Sequence, residues 1–437
     1  MRRWRNWAGN VRCSPSGWER PRSVEEVAAA VRRSARRGER IKAVGSGHSF
    51  SAIAAPAGRG LRLDRMRRLV EVDHERRTVS AEAGIRLKEL VDALAEHRLA
   101  LPVLGTAAEQ TLGGAIATAT HGTGIRFGVL PTLVEELELV DGAGDLATCS
   151  PGARPELFAA ARTSLGALGI VTRARLRLRE VFALRALALP ATLDGTLAEL
   201  DRLVAEHRHF KLWWWPHTDE VRLWLYDEVE APEAIARRPR PLDRERMTAG
   251  AGGFALWASS RLPPSAIPPL KRALVPLFNR RYERVERADR IFNYPVPMRH
   301  LELEYAVPAG EAAAALEDVR SLVEKSGIVV DFLVEVRFTA ADDIWLSPAH
   351  GRDTCFLGAF MYRADGWERY FRAVEERLID RGGRPHWGKL HFRSGDDLRA
   401  AYPHWDDFAA VRRRCDPEGL FLNAELERLF ASGPTSG

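Results

Sequence analysis

The sequence predicts an α+β fold rather than a regular alternation of strand and helix. Three observations carry this. The runs RIKAVG, GLRLD and TVSAEAG read as strands, but each is only a few residues long. The helical periodicities fall between them at irregular intervals, so no βαβ series forms. A central aromatic stretch, FKLWWWPHTDEVRLWLYDEVE, favours strands with one packed face.

Taken in order, the elements divide the chain into three regions. In the first, residues 1–180, Ser23 can cap a helix through VEEVAAAVRRSARRG, with Glu26 at the capping-box position and Gly38 as the stop. LKELVDALAEHR is helical, and Leu137–Val140 and Val171–Leu178 are strands. In the second, residues 181–380, the run TLAELDRLVAEHRHF is helical and leads into the aromatic strands. Most of those aromatics read as core. The charged, proline-bearing ARRPRPLDRERM is expected to be exposed. KRALVPLFNRRYERVERADR reads as a solvated helical face. HLELEYAVP and VDFLVEVRF are strands, and GEAAAALEDVRSLVEKSG and WERYFRAVEERL are helices. The third region, residues 381–437, opens with GGRPHWGKLHF and ends with ASGPTSG, which is expected to fray.

Composition excludes several classes. The formal charge of +6 is spread over 65 basic and 59 acidic residues, without the basic stripe of a nucleic-acid binder. No apolar run approaches a membrane span, and no signal peptide is readable, so a soluble, cytoplasmic protein is expected. Cys13, Cys149, Cys355 and Cys415 are too scattered for a disulfide framework or a zinc site. HExxH is missing, and His386 and His391, five apart, are a weak metal signal, so no metal is expected. In RTSLG, Arg162 stands where a nucleophile elbow needs glycine, which argues against Ser164 as a hydrolase nucleophile.

Four motifs carry chemistry. Gly45, Ser46, Gly47, His48 and Ser49 follow a strand, and two glycines one residue apart let amides turn inward on phosphate oxygens. The third glycine of a dinucleotide fingerprint is replaced by Phe50, so a plain tight turn competes. TLGGAIATATHGTG, from Thr111 to Gly124, suits close backbone approach to a flat or charged ligand, or a packed loop. Glu335 and Arg337 share one face of a strand, as a site or as a structural ion pair. His386, Trp387 and Lys389 cluster near Arg384 and His391, where a lysine can steady an anion. On residues alone, the chain reads as a soluble α+β enzyme with a phosphate-bearing cofactor.

These motifs, in their order, resemble the vanillyl-alcohol-oxidase-type flavoproteins, specifically the sugar-1,4-lactone oxidases of the L-gulono- and D-arabinono-lactone type. The resemblance rests on GWERPRSVEEV, VGSGHSF, TLGGAIATATHGTG, LGALGIVT, EYAVP, VEVRF and RPHWGK, and covers nearly the whole chain. It implies a two-subdomain FAD-binding domain over residues 1–180 and an α+β cap with an antiparallel sheet over 181–380. Residues 381–437 would return to the cofactor. It further implies that Gly45–Ser49 wraps the FAD pyrophosphate and that His48 bonds to the flavin 8α-methyl group. Thr111, Gly113, Gly114, Thr118, His121, Gly122 and His386 would line the cofactor, with Gly169, Ile170 and Val171 on the adenine side. Glu335, Arg337 and Lys389 would be catalytic.

The implied reaction oxidises a ring hydroxyl of a sugar lactone, at C2, with hydride passing to flavin N5 and electrons to O2 or another acceptor. Lys389 and Arg337 would stabilise alkoxide charge, and Glu335 would orient Arg337 or take the proton. The rival within the family is an alditol oxidase acting on xylitol or sorbitol. Polyol-oxidising relatives carry serine near Ala115 and a His-Phe-Thr run where this chain has Ala359, Phe360 and Met361. The local FMYR at 360–363 favours a lactone. A rival of another class is a non-catalytic FAD-fold scaffold, against which the charged trio argues.

Overall fold

The computed structural model describes residues 3–236, 244–293, 296, 298–362 and 365–430. Most of ARRPRPLDRERM, Arg363 of FMYR and the terminal ASGPTSG fall outside the described residues.

Two sheet systems organise the chain. In the first, Ser23 Oγ accepts the Glu26 amide and starts the Val24–Arg36 helix. Gly38, at φ +59°, follows its end. The helix buries Val27, Ala28, Ala30 and Val31 against Ile41, Leu61, Val140 and Ile170. A small parallel sheet pairs Trp18–Glu19 and Ile41–Ala43 with Arg59–Leu61 between them. Beside it, an antiparallel sheet runs in the order Leu146–Cys149, Val134–Val140, Ile170–Arg177, Thr78–Glu82, Leu69–Asp73.

The second system is an eight-stranded sheet. Its order is Tyr282–Arg287, Ala183–Thr192, Glu220–Val229, His209–Trp214, Val334–Thr339, Thr354–Met361, Leu301–Pro308, Arg384–Pro385. Every pairing in it is antiparallel. Strand periodicity separates its two faces. Phe210, Leu212, Val334, Val336, Leu303, Tyr305, Leu357 and Ala359 enter one core with the Ala312–Lys325 and Trp367–Asp380 helices. Those helices offer Leu316, Val319 and Val323, and Phe371, Val374 and Leu378, at helical spacing. Truncating one such leucine to alanine costs about 2–5 kcal/mol. The alternate residues, among them Lys211, Trp213, Glu335, Arg337, Glu302 and Glu304, emerge on the opposite face.

Two expectations are corrected. KRALVPLFNRRYERVERADR is not one solvated helix. The Ile267–Phe278 helix ends after Pro276, and Tyr282–Arg287 becomes an edge strand paired with Ala183–Ala188. TLAELDRLVAEHRHF forms two short helices, Leu193–Ala198 and Leu200–Glu206, and His209 already opens a strand.

Gly169 sits immediately before the Ile170–Arg177 strand. Its φ is +155°, and a Cβ there would lie 2.4 Å from Val140 O. Gly169→Ala is expected to lower stability by about 2 kcal/mol. Gly152→Ala, with nothing within 4 Å of the new carbon, should change it by less than about 0.5 kcal/mol. Urea unfolding of the two variants checks both.

Candidate active site

The polar face of the large sheet is set by register. Trp213 lies opposite Glu335, and Lys211 opposite Arg337. Glu335 lies opposite Gly358, which lies opposite Glu304. Carboxylates from two strands therefore share one row, with only glycine between them. A Cβ at Gly358 would meet Phe360 Cε2 at 3.0 Å, so the gap belongs to the site.

Each buried charge is matched. Lys211 Nζ donates to Glu335 Oε1 at 3.1 Å, and Trp213 Nε1 donates to the same oxygen at 2.7 Å. Arg337 donates to Glu335 Oε2 and, at 2.9 Å, to Thr106 Oγ1. Burial alone would raise the Glu335 carboxyl, but Arg337, Lys211 and the Trp213 N–H hold it at about 2. Burial likewise opposes the Arg337 charge, and Glu335 with Glu304 overcomes it. Among the described residues, the buried Arg337 Nε has no hydrogen-bond partner.

The second carboxylate pair meets Lys389. Lys389 Nζ contacts Glu302 Oε2 and lies 3.8 Å from Glu304 Oε2. His300 Nε2 lies 3.8 Å from Glu302. His121 Nε2 lies 3.3 Å from Glu304, and its ring stacks on Phe356 at 3.6 Å. Burial opposes ionisation of Glu304, but His121 and Lys389 bring its carboxyl well below the ordinary range. Burial lowers His386 to about 3.

His121, Glu304 and His386 place ligand-type atoms within 4.8 Å of one another. His386 Nδ1 accepts the Gly388 N–H at 3.0 Å, so its other ring nitrogen carries the proton. His121 and Lys389 face the Glu304 carboxylate, and the His386 ring lies beside them.

Opposite this face lies the first glycine loop, secured from both ends of the chain. Trp7 N–H donates to Gly47 O at 2.7 Å. Asn6 and Asn10 donate to Ser49 O and Phe50 O, each at 2.9 Å. Phe50 N–H donates to Gly388 O at 2.6 Å, and Ser51 Oγ to Trp387 O at 2.8 Å. The second glycine segment closes on the first. A Cβ at Gly45 would sit 2.3 Å from Thr111 Oγ1, and Ser46 Oγ donates to Glu109 O. Among the described residues, no amide of Gly45–Ser49 donates to another protein group. Gly47 has φ +71°. Five consecutive free amides around a glycine at positive φ fit an anionic pyrophosphate.

A cavity of about 1100 Å³ joins the two halves. His48, His121, Glu335, Arg337, His386 and Lys389, all singled out in the sequence, line it. Gly45, Ser46, Gly47, Ser49, Thr111, Gly113, Gly114, Thr118 and Gly122 stand outside that lining, in the two glycine segments. Ile170 and Val171 open a strand of the five-stranded sheet, with Gly169 just before it, and Ile170 packs in the core beneath the Val24–Arg36 helix. Ala115, Ala359 and Met361 are buried in apolar clusters, and only Phe360 of the 359–361 run reaches the cavity. Sequence reading missed Lys211, Trp213, Glu302, Glu304, Thr106 and the Asn6–Asn10 clamp. LELEY and KLW carry the same alternate spacing that marks Glu335 and Arg337.

Residues 15–150 match the family model described as FAD binding domain, and residues 174–429 match the one described as D-arabinono-1,4-lactone oxidase. The chain belongs to the D-arabinono-1,4-lactone oxidase family. Its members are FAD-dependent oxidoreductases, and so is this chain. It is 38% identical to the L-gulono-1,4-lactone dehydrogenase of Mycobacterium tuberculosis over 98% of this chain and 99% of that protein. It is 35% identical to the L-gulonolactone oxidase of Scyliorhinus torazame over 97% of each. Cholesterol oxidase from B. sterolicum shares the fold, with a TM-score of 0.80 at 16% identity over 98% of this chain and 96% of that one. No helix among the described residues of this lactone oxidase family member is long and apolar enough to cross a membrane.

The folded Glu335 carboxyl, at about 2, lies below an unfolded value of about 4.3. Its contribution to stability is therefore full above about pH 5 and lost as pH falls toward 2. Glu335→Gln removes the carboxylate charge that Lys211 and Arg337 share and should cost about 3 kcal/mol at pH 7. The variant should also lose less stability than the parent between pH 5 and 2. Urea unfolding at several pH values measures both effects.

Proposed function

We propose that the chain oxidises a ring hydroxyl, at C2, of a sugar 1,4-lactone such as L-gulono-1,4-lactone. The observation that carries this is the pairing of two cations, Arg337 and Lys389, across one cavity wall from the free-amide loop at His48. FAD bound there supplies the acceptor for the hydrogen carried by carbon. Arg337 and Lys389 hold the substrate hydroxyl oxygen and stabilise the charge that develops on it. Glu335 has both oxygens occupied and stays ionised, so its role is to aim Arg337 rather than to accept a proton. Glu302 takes the hydroxyl proton, since it lines the cavity beside Lys389 and His300. Trp213 and Phe360 limit access of water. Oxygen or another acceptor takes the electrons in turn.

His48 is the covalent attachment point of the cofactor. Its ring stacks on Trp7 at 5.5 Å, and among the described residues its nitrogens make no hydrogen bond. Burial lowers its pKa, which keeps the imidazole neutral and its lone pair available.

Anaerobic addition of L-gulono-1,4-lactone is expected to bleach the flavin absorbance. Lys389→Met and Arg337→Met should slow bleaching by about 10²–10³-fold. Bleaching by xylitol but by no aldonolactone would assign a polyol substrate, and no bleaching by either would favour a scaffold. Acid precipitation should leave yellow colour in the pellet of the parent protein and release it from His48→Ala. Full release from the parent removes the covalent bond while leaving FAD binding intact.

A further inference from the structure

Glu302, placed above as the acceptor of the hydroxyl proton, is also the counter-ion of Lys389. The two duties conflict. A Glu302 that keeps the proton is neutral, and the Lys389 ammonium is then left with the more distant Glu304, at 3.8 Å. The row regains its balance only when the proton moves on. His300 is the group placed to take it, with Nε2 at 3.8 Å from Glu302 Oε2.

The setting of His300 suits that task. Its Nδ1 faces Met298 O at 3.1 Å. A carbonyl only accepts, so Nδ1 carries the ring proton and Nε2 turns a lone pair toward Glu302. Two acceptors thus face each other across a gap longer than a hydrogen bond, and a proton arriving on Glu302 is what joins them. The imidazole is 7% exposed and lies among four aromatic rings. Trp7 and Phe50 come from the first region, each with its centroid at 5.4 Å. Phe332 and Phe360 come from the cap, at 5.5 and 5.2 Å. These rings wall the imidazole from bulk water, so a proton on it exchanges with Glu302 rather than with solvent.

We infer that His300 holds the substrate's hydroxyl proton between the two halves of the reaction, acting through Glu302. The inference rests on Glu302 as the first acceptor. The substrate loses a hydride, whose electron pair goes to FAD, and a proton. That proton leaves the hydroxyl oxygen for Glu302. The Glu302 O–H bond then breaks as an N–H bond forms at His300 Nε2, and the Glu302–Lys389 pair is restored. When dioxygen takes the two electrons and leaves as hydrogen peroxide, it needs two protons. The nucleus of the former hydride is one, and the proton held on His300 is the other.

The test counts protons. The holoenzyme, weakly buffered near neutral pH with phenol red, is reduced anaerobically by L-gulono-1,4-lactone. The parent should release no proton to the dye as the flavin bleaches, while His300→Phe and His300→Gln should each release about one per flavin. Phe keeps a ring among the aromatic side chains and Gln keeps a polar group, so one folded variant of the two suffices. The limiting rate of bleaching should fall about tenfold in both, with the half-saturating lactone concentration within about twofold of the parent. Histidine nitrogen-15 spectra give a reading that needs no turnover. The oxidised parent should show a neutral ring protonated at Nδ1 that is missing from His300→Gln, and this ring should become an imidazolium once substrate has reduced the flavin. Release of the proton by the parent overturns the inference, as does its retention by both variants or a His300 ring that stays neutral on reduction. The proposed oxidation survives each of these, because the flavin still bleaches. A polyol that bleaches in the lactone's place changes the substrate and is used for the same count. No bleaching by either removes the oxidation and the inference together.

Discussion

The cap is built around one requirement: a carboxylate placed in the protein interior must be fully answered. Glu335 is 6% exposed and has a lysine, an indole N–H and a guanidinium on its two oxygens. Those three partners come from its own strand and the next one, so strand register becomes an electrostatic condition. A one-residue slip would turn Glu335 into the apolar core and Val334 toward the cavity. The charged face thus depends on the greasy one. The two helices behind the sheet hold the alternation that makes the front polar, and the front penalises any register that would mismatch its charges.

The same logic explains how distant parts of the chain form one site. The cation row belongs to the cap, while the loop at His48 belongs to the first region. The residues joining them, Trp387 to Lys389, are near the C-terminal end. Gly388 O and Trp387 O hold the loop, and Lys389 enters the carboxylate row one residue later. Backbone bonding and charge pairing therefore fix the loop and the cation row relative to each other.

Much of this was legible in the sequence because strand alternation is a local signal. Glu335 and Arg337 were found by their spacing, and Glu302 with Glu304, or Lys211 with Trp213, could have been found by the same rule. What spacing cannot give is which strands adjoin, so the shared row of Glu335, Gly358 and Glu304 stayed invisible. The two glycine segments were read separately as ligand loops; their contact at Gly45 and Thr111 depends on tertiary packing. The edge strand at Tyr282–Arg287 was misread as helix because its charges alternate with apolar residues in a pattern both structures accept. Lys389 and His48 gained their roles from family resemblance, since neither carries a local pattern that separates a functional residue from an exposed one. Asn6 and Asn10 gave no signal, because an asparagine holding a carbonyl looks in sequence like any turn asparagine.

The clamp on the His48 loop also sets a timetable. Ser51 and its partner Trp387 are separated by 336 residues. A chain emerging from the ribosome completes both glycine segments early, yet the bonds from Trp387 and Gly388 to the loop wait for the last eighth of these 437 residues. Before that, Trp7, Asn6 and Asn10 and the Ser46 contact with Glu109 hold the loop. Contacts of such long sequence separation make the site slow to assemble.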